Sequence, residues 1–201
     1  MRGINYILIP LLMFIGCGSM FGKEPKGDDH SLGQDEYHLL ATSRTSTMEK
    51  EMNQAVKEGF SFKAVMGGNT FFGDNEMVVL MSRHNKSVQF EYLVLATNKT
   101  STMEKEMRGA GKKKFKYKGQ TVFETRFGGQ EIVVIMERDS SMPDPGYDYK
   151  LLATKKTSTM LKEINLEAAK GFKLVGLTVG NTTFGDEEVV TIMERSLAGK
   201  F

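Results

Sequence analysis

Residues 92–107 read YLVLATNKTSTMEKEM, and the pattern returns as YHLLATSRTSTMEKEM at 37–52 and as YKLLATKKTSTMLKEI at 149–164. Aligning outward from this stretch gives three gap-free units of 48 residues, which we call repeat 1 (36–83), repeat 2 (91–138) and repeat 3 (148–195). Eighteen of the 48 columns are identical in all three repeats, which indicates internal triplication.

Each repeat begins with an apolar run of strand character, meets a cluster of threonine and serine, and then changes to helical spacing. In repeat 1, Met48, Met52 and Ala55 recur at i, i+4 and i+7, which predicts one apolar stripe along a helix. Gly59 is expected to end that helix in a left-handed conformation, as is Gly171 in repeat 3.

The predicted helix starts carry a capping signal. Ser46 and Ser101 precede a glutamate by three residues, which is the spacing of a capping box, so we expect their hydroxyls to cap the first two helices. In repeat 3, Leu161 stands at the glutamate position, and Ser158 is expected to cap without the reciprocal bond.

The helix of repeat 2 diverges from the other two. It contains Gly109 and Gly111, each of which costs about 1 kcal/mol relative to alanine inside a helix. Lys114 replaces the terminal glycine. We therefore predict that this helix is the shortest or the most mobile of the three.

Two strand-like runs around a glycine-rich hairpin loop follow the helix, at 60–66 and 76–81 in repeat 1 and at 172–179 and 188–193 in repeat 3. The predicted fold class is α+β, with three tandem β-α-β-β repeats. Because a lone core of this size is marginal and the linkers are short, we expect the repeats to pack as one body. Gap-free triplication favours a pseudo-threefold arrangement, with separate beads on a string as the alternative.

Repeat 3 carries YDYKLLAT at 147–154 and GFKLVGLTV at 171–179. These runs resemble a small bacterial domain family of unknown function, in which one helix joins a WEYK-like first strand to a GWELV-like second strand. Tyrosine and phenylalanine stand at the tryptophan positions. The resemblance implies a β-α-β-β fold and brings no catalytic residues with it.

The N-terminal region has the layout of a bacterial lipoprotein leader. Residues 1–16 are typical of a secretory signal peptide, and their apolar run of about 12 residues is too short to span a bilayer as a helix. The sequence FIGC at 14–17 resembles a lipobox, which implies that Cys17 is lipidated and becomes the mature N-terminus. The alternative is an ordinary signal peptide cleaved nearby. Residues 17–35 are predicted to be a flexible tether.

These features predict a bacterial cell-envelope protein that contacts a membrane through its N-terminal lipid, at the outer membrane if the host has one. Lys plus Arg number 27 against 25 Asp plus Glu, so the net charge of +2 gives no field that would recruit nucleic acid, and no specific nucleic-acid partner is predicted. A Cys/His zinc site would need the single cysteine and all three histidines together, although they lie in the leader, the tether, a first strand and a linker, so we predict no metal and no cofactor.

The candidate ligand-binding surface is the loop before each helix, where hydroxyls and one basic residue meet a helix N-terminus that favours anions. Capping explains the serines but not the basic residue. The predicted residues are Thr42, Arg44, Thr45 and Thr47 in repeat 1, Thr97, Lys99, Thr100 and Thr102 in repeat 2, and Thr154, Lys156, Thr157 and Thr159 in repeat 3.

Two further patterns carry charge. The run KKKFKYK at 112–118 interleaves lysines with aromatics and suits a phosphate-bearing surface polymer, lipid headgroups or nucleic acid, although strand alternation explains it without a ligand. The repeated Glu76 and Arg83 flank the last strand too far apart to pair within it. An Arg–Glu contact between neighbouring repeats is the alternative, and it would be structural.

None of the three histidines recurs in another repeat, and we predict no catalytic residues. The predicted function is a non-enzymatic binding or structural module on a lipid anchor, with an anionic envelope ligand or a protein as its partner. The alternatives are an envelope enzyme and a small-anion or glycan sensor, each with a site between repeats.

Overall fold

The computed structural model describes residues 36–69, 75–83, 89–124, 129–141, 143–181 and 187–198. The predicted signal peptide, Cys17 and the tether lie outside the described residues, as do the tips of the three hairpin loops. Residues Asp35–Phe201 form one compact unit.

Every repeat is built as strand, helix, strand and strand. Repeat 1 consists of β1 (Tyr37–Thr42), α1 (Thr45–Lys57), β2 (Phe60–Asn69) and β3 (Asn75–Arg83). Repeat 2 consists of β4 (Phe90–Thr97), α2 (Thr100–Lys112), β5 (Lys116–Glu124) and β6 (Gln130–Asp139). Repeat 3 consists of β7 (Tyr147–Thr154), α3 (Thr157–Ala168), β8 (Lys173–Asn181) and β9 (Glu187–Ser196). The predicted α+β class and the β-α-β-β order are confirmed.

The three strands of each repeat form an antiparallel sheet with the last strand in its centre, in the orders β1-β3-β2, β4-β6-β5 and β7-β9-β8. The outer strands are therefore parallel to each other and are joined by the helix. A register shift in β2 falls between Phe62 and Ala64, and β5 and β8 shift at the equivalent residues. The first strand of each repeat lies at a sheet edge, where it is accessible to a neighbouring repeat.

The predicted apolar stripe of α1 is buried. Met48 and Met52 are fully buried, and Ala55 is 2% exposed. These residues share a core with Met77 and Met81 on the central strand of the same sheet. The stripe is thus confirmed, and it fixes which face of the sheet the helix covers.

The opposite face of each sheet packs on the preceding repeat. In β6, Val134 belongs to the core around α2, whereas Val133 and Ile135 belong to the core around α1. In β9, Met193 belongs to the core around α3 and Ile192 to the core around α2. Helices α1 and α2 are therefore each enclosed between their own sheet and the sheet of the next repeat.

The three repeats stack in a row. Helix α1 packs on β4, and α2 packs on β7. We call the interface between repeats 1 and 2 the first joint and the interface between repeats 2 and 3 the second joint. Strand β2 meets β5 in the first joint, and β5 meets β8 in the second. The prediction of one body is confirmed, and the alternative of separate beads is wrong because neighbouring repeats share cores. No comparable packing joins repeat 3 to repeat 1 in the described ranges, so the contacts follow a serial order and not the expected pseudo-threefold arrangement.

The capping prediction is wrong. Helix α1 begins at Thr45, its N-cap residue is Arg44, and no side chain caps it. Lys99 and Lys156 hold the same position in repeats 2 and 3, again without a side-chain cap. The predicted capping residues lie inside the first turn, at Ser46, Ser101 and Ser158.

The predicted helix ends are confirmed. Gly59 and Gly171 have φ values of +89° and +87°, in the left-handed region that favours glycine. Lys114 takes the same conformation at φ +71°, which costs a residue with a Cβ about 1 kcal/mol or more.

Helix α2 is not the shortest helix. It has 13 residues, as α1 does, and α3 has 12. A Cβ at Gly111 would overlap the carbonyl oxygen of Tyr147 and lie 2.9 Å from the ring of Tyr149. Gly111 is therefore required by the close approach of α2 to β7, and this packing supports the helix despite the low helix propensity of glycine.

Candidate functional site

The contacts that join the repeats centre on a tyrosine in the first strand of repeats 2 and 3. In repeat 2, the Tyr92 hydroxyl accepts a hydrogen bond from the backbone N–H of Phe62 in repeat 1 at 2.8 Å, and it donates one to Glu137 at 2.7 Å. The tyrosine is only 2% exposed. It thus supplies an acceptor for an N–H beside the register shift of β2, where the strand ladder is interrupted.

Tyr149 makes the same bridge in repeat 3. Its hydroxyl accepts the backbone N–H of Tyr117 at 2.8 Å and donates to Glu194 at 2.9 Å. Burial, reinforced by the adjacent carboxylate, raises the pKa of Tyr92 and of Tyr149 far above the ordinary value of a tyrosine. Both hydroxyls therefore keep their protons at physiological pH and hold the repeats together.

A second contact joins each helix to the edge strand of the following repeat. Glu49 on α1 accepts the backbone N–H of Val94 at 2.9 Å, and Glu104 on α2 accepts that of Leu151 at 3.0 Å. The glutamates that the sequence places in capping boxes thus bind the next repeat instead. The carboxylates are therefore not free to complete a capping box, and the serines do not cap because each helix begins one residue before its serine.

The two joints differ one helical turn further along. In the first joint, the Asn53 side chain donates to the carbonyl of Tyr92 at 2.8 Å and accepts its N–H at 2.9 Å. In the second joint, Arg108 stands at the position of Asn53 and pairs with Asp148 at 2.9 Å. The same site on the helix therefore meets the edge strand through an amide in one joint and through an ion pair in the other.

Asp148 lies between two cations. Arg108 comes from the preceding repeat, and Arg195 from the same repeat pairs with Asp148 at 2.8 Å. Desolvation by burial alone would raise the pKa of Asp148, but hydrogen bonds to Arg195 and Arg108 and their charges lower it below its ordinary value. The carboxylate thus stays ionised and links repeat 2 to repeat 3 through its two ion pairs.

The repeated arginine at the end of each third strand serves its own repeat. Arg83 pairs with Glu36, and its guanidinium carbon lies 4.6 Å from the centre of the Phe60 ring. The equivalent pairs are Arg138 with Glu91 and Arg195 with Asp148. The alternative of an Arg–Glu contact between neighbouring repeats is wrong, because the acidic partner starts the first strand of the same sheet.

The predicted ligand-binding loops join the first strand to the helix in each repeat. The Thr42 hydroxyl oxygen accepts the backbone N–H of Arg44 at 3.2 Å, which accounts for that threonine without a ligand. The equivalent bonds join Thr97 to Lys99 and Thr154 to Lys156. The remaining predicted residues lie in the first helical turns: Thr45, Thr47, Thr100, Thr102, Thr157 and Thr159.

Each of these threonine bonds stays within its own loop, and the basic residues Arg44, Lys99 and Lys156 are exposed. Because the repeats stack in series, these loops belong to three successive layers. A ligand role for them stays a prediction.

Repeat 2 carries a basic surface that its neighbours lack. Residues 112–114 are three exposed lysines with no acidic partner among the described residues. Together with Arg138, Asp139 and Ser140 they line a cleft of about 370 Å³. Repeat 1 has Lys, Glu and Gly at 57–59 in place of the three lysines.

The predicted alternation of the KKKFKYK run holds from its fourth residue onward. Phe115 is 5% exposed and Tyr117 is half-buried, whereas Lys116 and Lys118 point to solvent. Burial raises the pKa of Tyr117 to about 12. The first lysine ends α2, so the run is part helix end and part strand.

Over the described ranges, no three histidine, cysteine, aspartate or glutamate side chains come together as a metal site. No helix among those residues is long and apolar enough to cross a membrane. Comparison with models of protein families, with curated proteins and with solved structures found no match.

Proposed function

We propose that the chain is a lipid-anchored cell-envelope protein whose triplicated body is a non-enzymatic structural or binding module. The anchor rests on the signal-like residues 1–16 and on Cys17 at the end of their apolar run, all of which lie outside the described residues. The module rests on the way in which the repeats are joined.

The observation that carries this proposal is the use of the recurrent polar residues as joints. Glu49 and Glu104 bind backbone N–H groups of the next repeat. The hydroxyls of Tyr92 and Tyr149 each accept a backbone N–H of the preceding repeat and donate to a glutamate of their own repeat. An enzyme site between repeats would need such groups to face a substrate. Here they hold one sheet against the next, which favours a rigid platform over the enzyme alternative.

The anchor is tested by Cys17→Ala in the full chain expressed in a bacterial host with lipoprotein processing. We expect the wild type to enter the detergent-rich phase in detergent phase separation and to incorporate labelled fatty acid. The variant should lose the label, whereas the matched variant Ser19→Ala should keep it. A Cys17→Ala chain that still carries the label would refute the lipid anchor.

The basic surface of repeat 2 favours a second candidate function, binding of a phosphate-bearing anion. Three adjacent lysines repel one another, and the carboxyl end of α2 offsets their charge only in part. Because Arg138 lines the same cleft, an anion there would meet a fourth cation beside the three lysines. A short polyphosphate is the simplest probe with this chemistry.

The test compares two triple variants in calorimetric titration with inorganic polyphosphate. The cleft variant carries Lys112→Ala, Lys113→Ala and Lys114→Gly, and the loop variant carries Arg44→Ala, Lys99→Ala and Lys156→Ala. We expect the cleft variant to lose affinity about tenfold or more, which corresponds to about 1.4 kcal/mol, and the loop variant to bind like the wild type. Loss in the loop variant alone would place the site in the helix-start loops, and equal losses would indicate unspecific attraction.

A further inference from the structure

The stack of repeats has two unlike ends, and the first is the outer sheet face of repeat 1, which we call the head. In repeats 2 and 3 the corresponding face packs on the preceding repeat. In repeat 1 its apolar side chains are exposed, with Tyr37 at 56%, Leu39 at 64% and Met66 at 61%. Tyr92, the counterpart of Tyr37 in repeat 2, is 2% exposed.

The second end is the face of repeat 3 formed by α3 and β8, which we call the tail. The equivalent elements of repeats 1 and 2 hold the following repeat, whereas α3 packs on its own sheet. The tail exposes large apolar side chains over half or more of their surface, at Leu161, Leu166, Leu174, Leu177 and Val179.

Both ends are more apolar than the ends of a stacked-repeat protein normally are, since terminal repeats usually carry a polar outer face that keeps the protein soluble. The tail has even gained apolar side chains. Leu161 replaces the glutamate that repeats 1 and 2 carry at 49 and 104, and Leu166 replaces Gln54, a position that stays exposed in repeat 1 and lies outside the joint. An exposed apolar patch of this kind marks an interaction surface.

The head and the tail also match in their polar groups. Asn165 occupies on α3 the position of Asn53, whose side chain binds both the N–H and the carbonyl of Tyr92. Tyr37 occupies in β1 the position of Tyr92 in β4, also on an edge strand. An asparagine and an edge-strand tyrosine are thus present at the two ends in the arrangement of the first internal joint.

One leucine at each end also corresponds to a residue of the first joint. Glu49 meets the backbone N–H of Val94 in the first joint. Leu161 and Leu39 hold the corresponding positions at the tail and at the head. If the tail of one molecule packed on the head of another, Leu161 would meet Leu39 at the place where each internal joint has a carboxylate. This interface would therefore be more apolar than the two internal joints.

We infer that two molecules of this chain associate head to tail, with the tail of one seated on the head of the other in the register of the internal joints. Such an interface is heterologous, so repetition gives a closed ring if the rotation closes and an open row if it does not. The inference depends neither on the lipid anchor nor on anion binding. Its basis is the continuity of the exposed faces with an interface that the chain already forms twice.

The experiment measures the mass of the full chain in a density-matched mild detergent by sedimentation equilibrium. The wild type should exceed the mass of a single protomer as concentration rises. Leu39→Lys places a charge on the head, and Leu177→Lys places one on the tail. Each variant alone should remain a protomer, because each lacks one half of the interface.

An equimolar mixture of the two variants provides the decisive measurement. The first variant keeps an intact tail and the second keeps an intact head, so the mixture should form one joint and stop at a dimer. Gln54→Lys, on an exposed position of α1, is the matched lysine control and should associate like the wild type. Circular dichroism and thermal melting should show that all three variants are folded.

Three results would overturn the proposal. A wild-type chain that stays a protomer would leave the two ends to a lipid surface or to the N-terminal segment of the same chain. Association that survives both lysine variants would come from the N-terminal segment and not from the stack. A mixture that stays at the protomer mass would show that the head and the tail do not bind each other.

Discussion

The hydroxyl of Tyr92 in repeat 2 lies 2.8 Å from the backbone nitrogen of Phe62 in repeat 1 and accepts its hydrogen. A buried N–H without an acceptor costs about 1–3 kcal/mol, so this bond makes the sheet of repeat 1 depend on the presence of repeat 2. Tyr149 and Tyr117 create the same dependence one layer further on. The repeats are therefore coupled by specific bonds as well as by shared apolar cores.

Tyr92→Phe should destabilise the fold by about 1–3 kcal/mol, because it leaves the N–H of Phe62 without its acceptor and leaves Lys118 as the remaining donor to Glu137. The free energy of unfolding from urea titration, followed by circular dichroism, measures the loss. Tyr37→Phe is the matched control, since this tyrosine is 56% exposed and the change should fall within about 0.5 kcal/mol. Equal effects at the two positions would show that the bridge contributes nothing.

The triplication, the order of elements and the buried stripe could be predicted because they depend on residue spacing along the chain. The joints could not, since a capping box and a joint use the same glutamate. Nothing in the sequence alone shows that Glu49 reaches Val94 rather than its own helix start. The sequence does contain one signal of the joints. The glutamate is present in repeats 1 and 2, each of which is followed by another repeat, and is replaced by Leu161 in repeat 3.

Two glycines of α2 should respond to alanine with opposite signs. At Gly111, the added Cβ would overlap the carbonyl oxygen of Tyr147, so the joint must open and the protein should lose stability by about 1–3 kcal/mol. At Gly109, a Cβ meets nothing within 4 Å, so the gain in helix propensity should stabilise the protein by about 1 kcal/mol. Thermal melting of both variants measures the two shifts. Stabilisation by Gly111→Ala would contradict the close approach of α2 to β7.

Asp148→Asn should destabilise the protein at neutral pH and not at low pH. The pKa of Asp148 is lowered in the folded state, so its ion pairs contribute fully above the unfolded pKa of about 4. That contribution is lost as the pH falls through the lower folded value. Two partly exposed pairs suggest an effect of about 1 kcal/mol at pH 7.

Unfolding titrations of wild type and Asp148→Asn between pH 2 and pH 7 should therefore converge at the acidic end, below the unfolded pKa. Glu91→Gln, at the equivalent position of repeat 2, is the matched control. Glu91 pairs with Arg138 of its own repeat and lies 48% exposed, so its removal should matter less. A constant difference between wild type and Asp148→Asn across this range would contradict an ion-pair role.

The register of the head-to-tail interface predicts that the two possible charges at position 161 are not equivalent. Glu49 and Glu104 each accept a backbone N–H from the edge strand of the next repeat. Leu161→Glu places the same carboxylate opposite the N–H of Leu39. A hydrogen bond to a charged group contributes about 1.5–3 kcal/mol, which offsets the roughly 2 kcal/mol lost with a buried leucine.

Leu161→Glu should therefore associate within about tenfold of the wild-type affinity, which allows for a net loss of about 1.4 kcal/mol. Leu161→Lys should not associate, because its ammonium group is a donor facing another donor and would be buried without a partner. Sedimentation equilibrium of both variants in the same detergent gives the two dissociation constants. If glutamate abolishes association as fully as lysine does, the tail does not meet the head in the register of the internal joints.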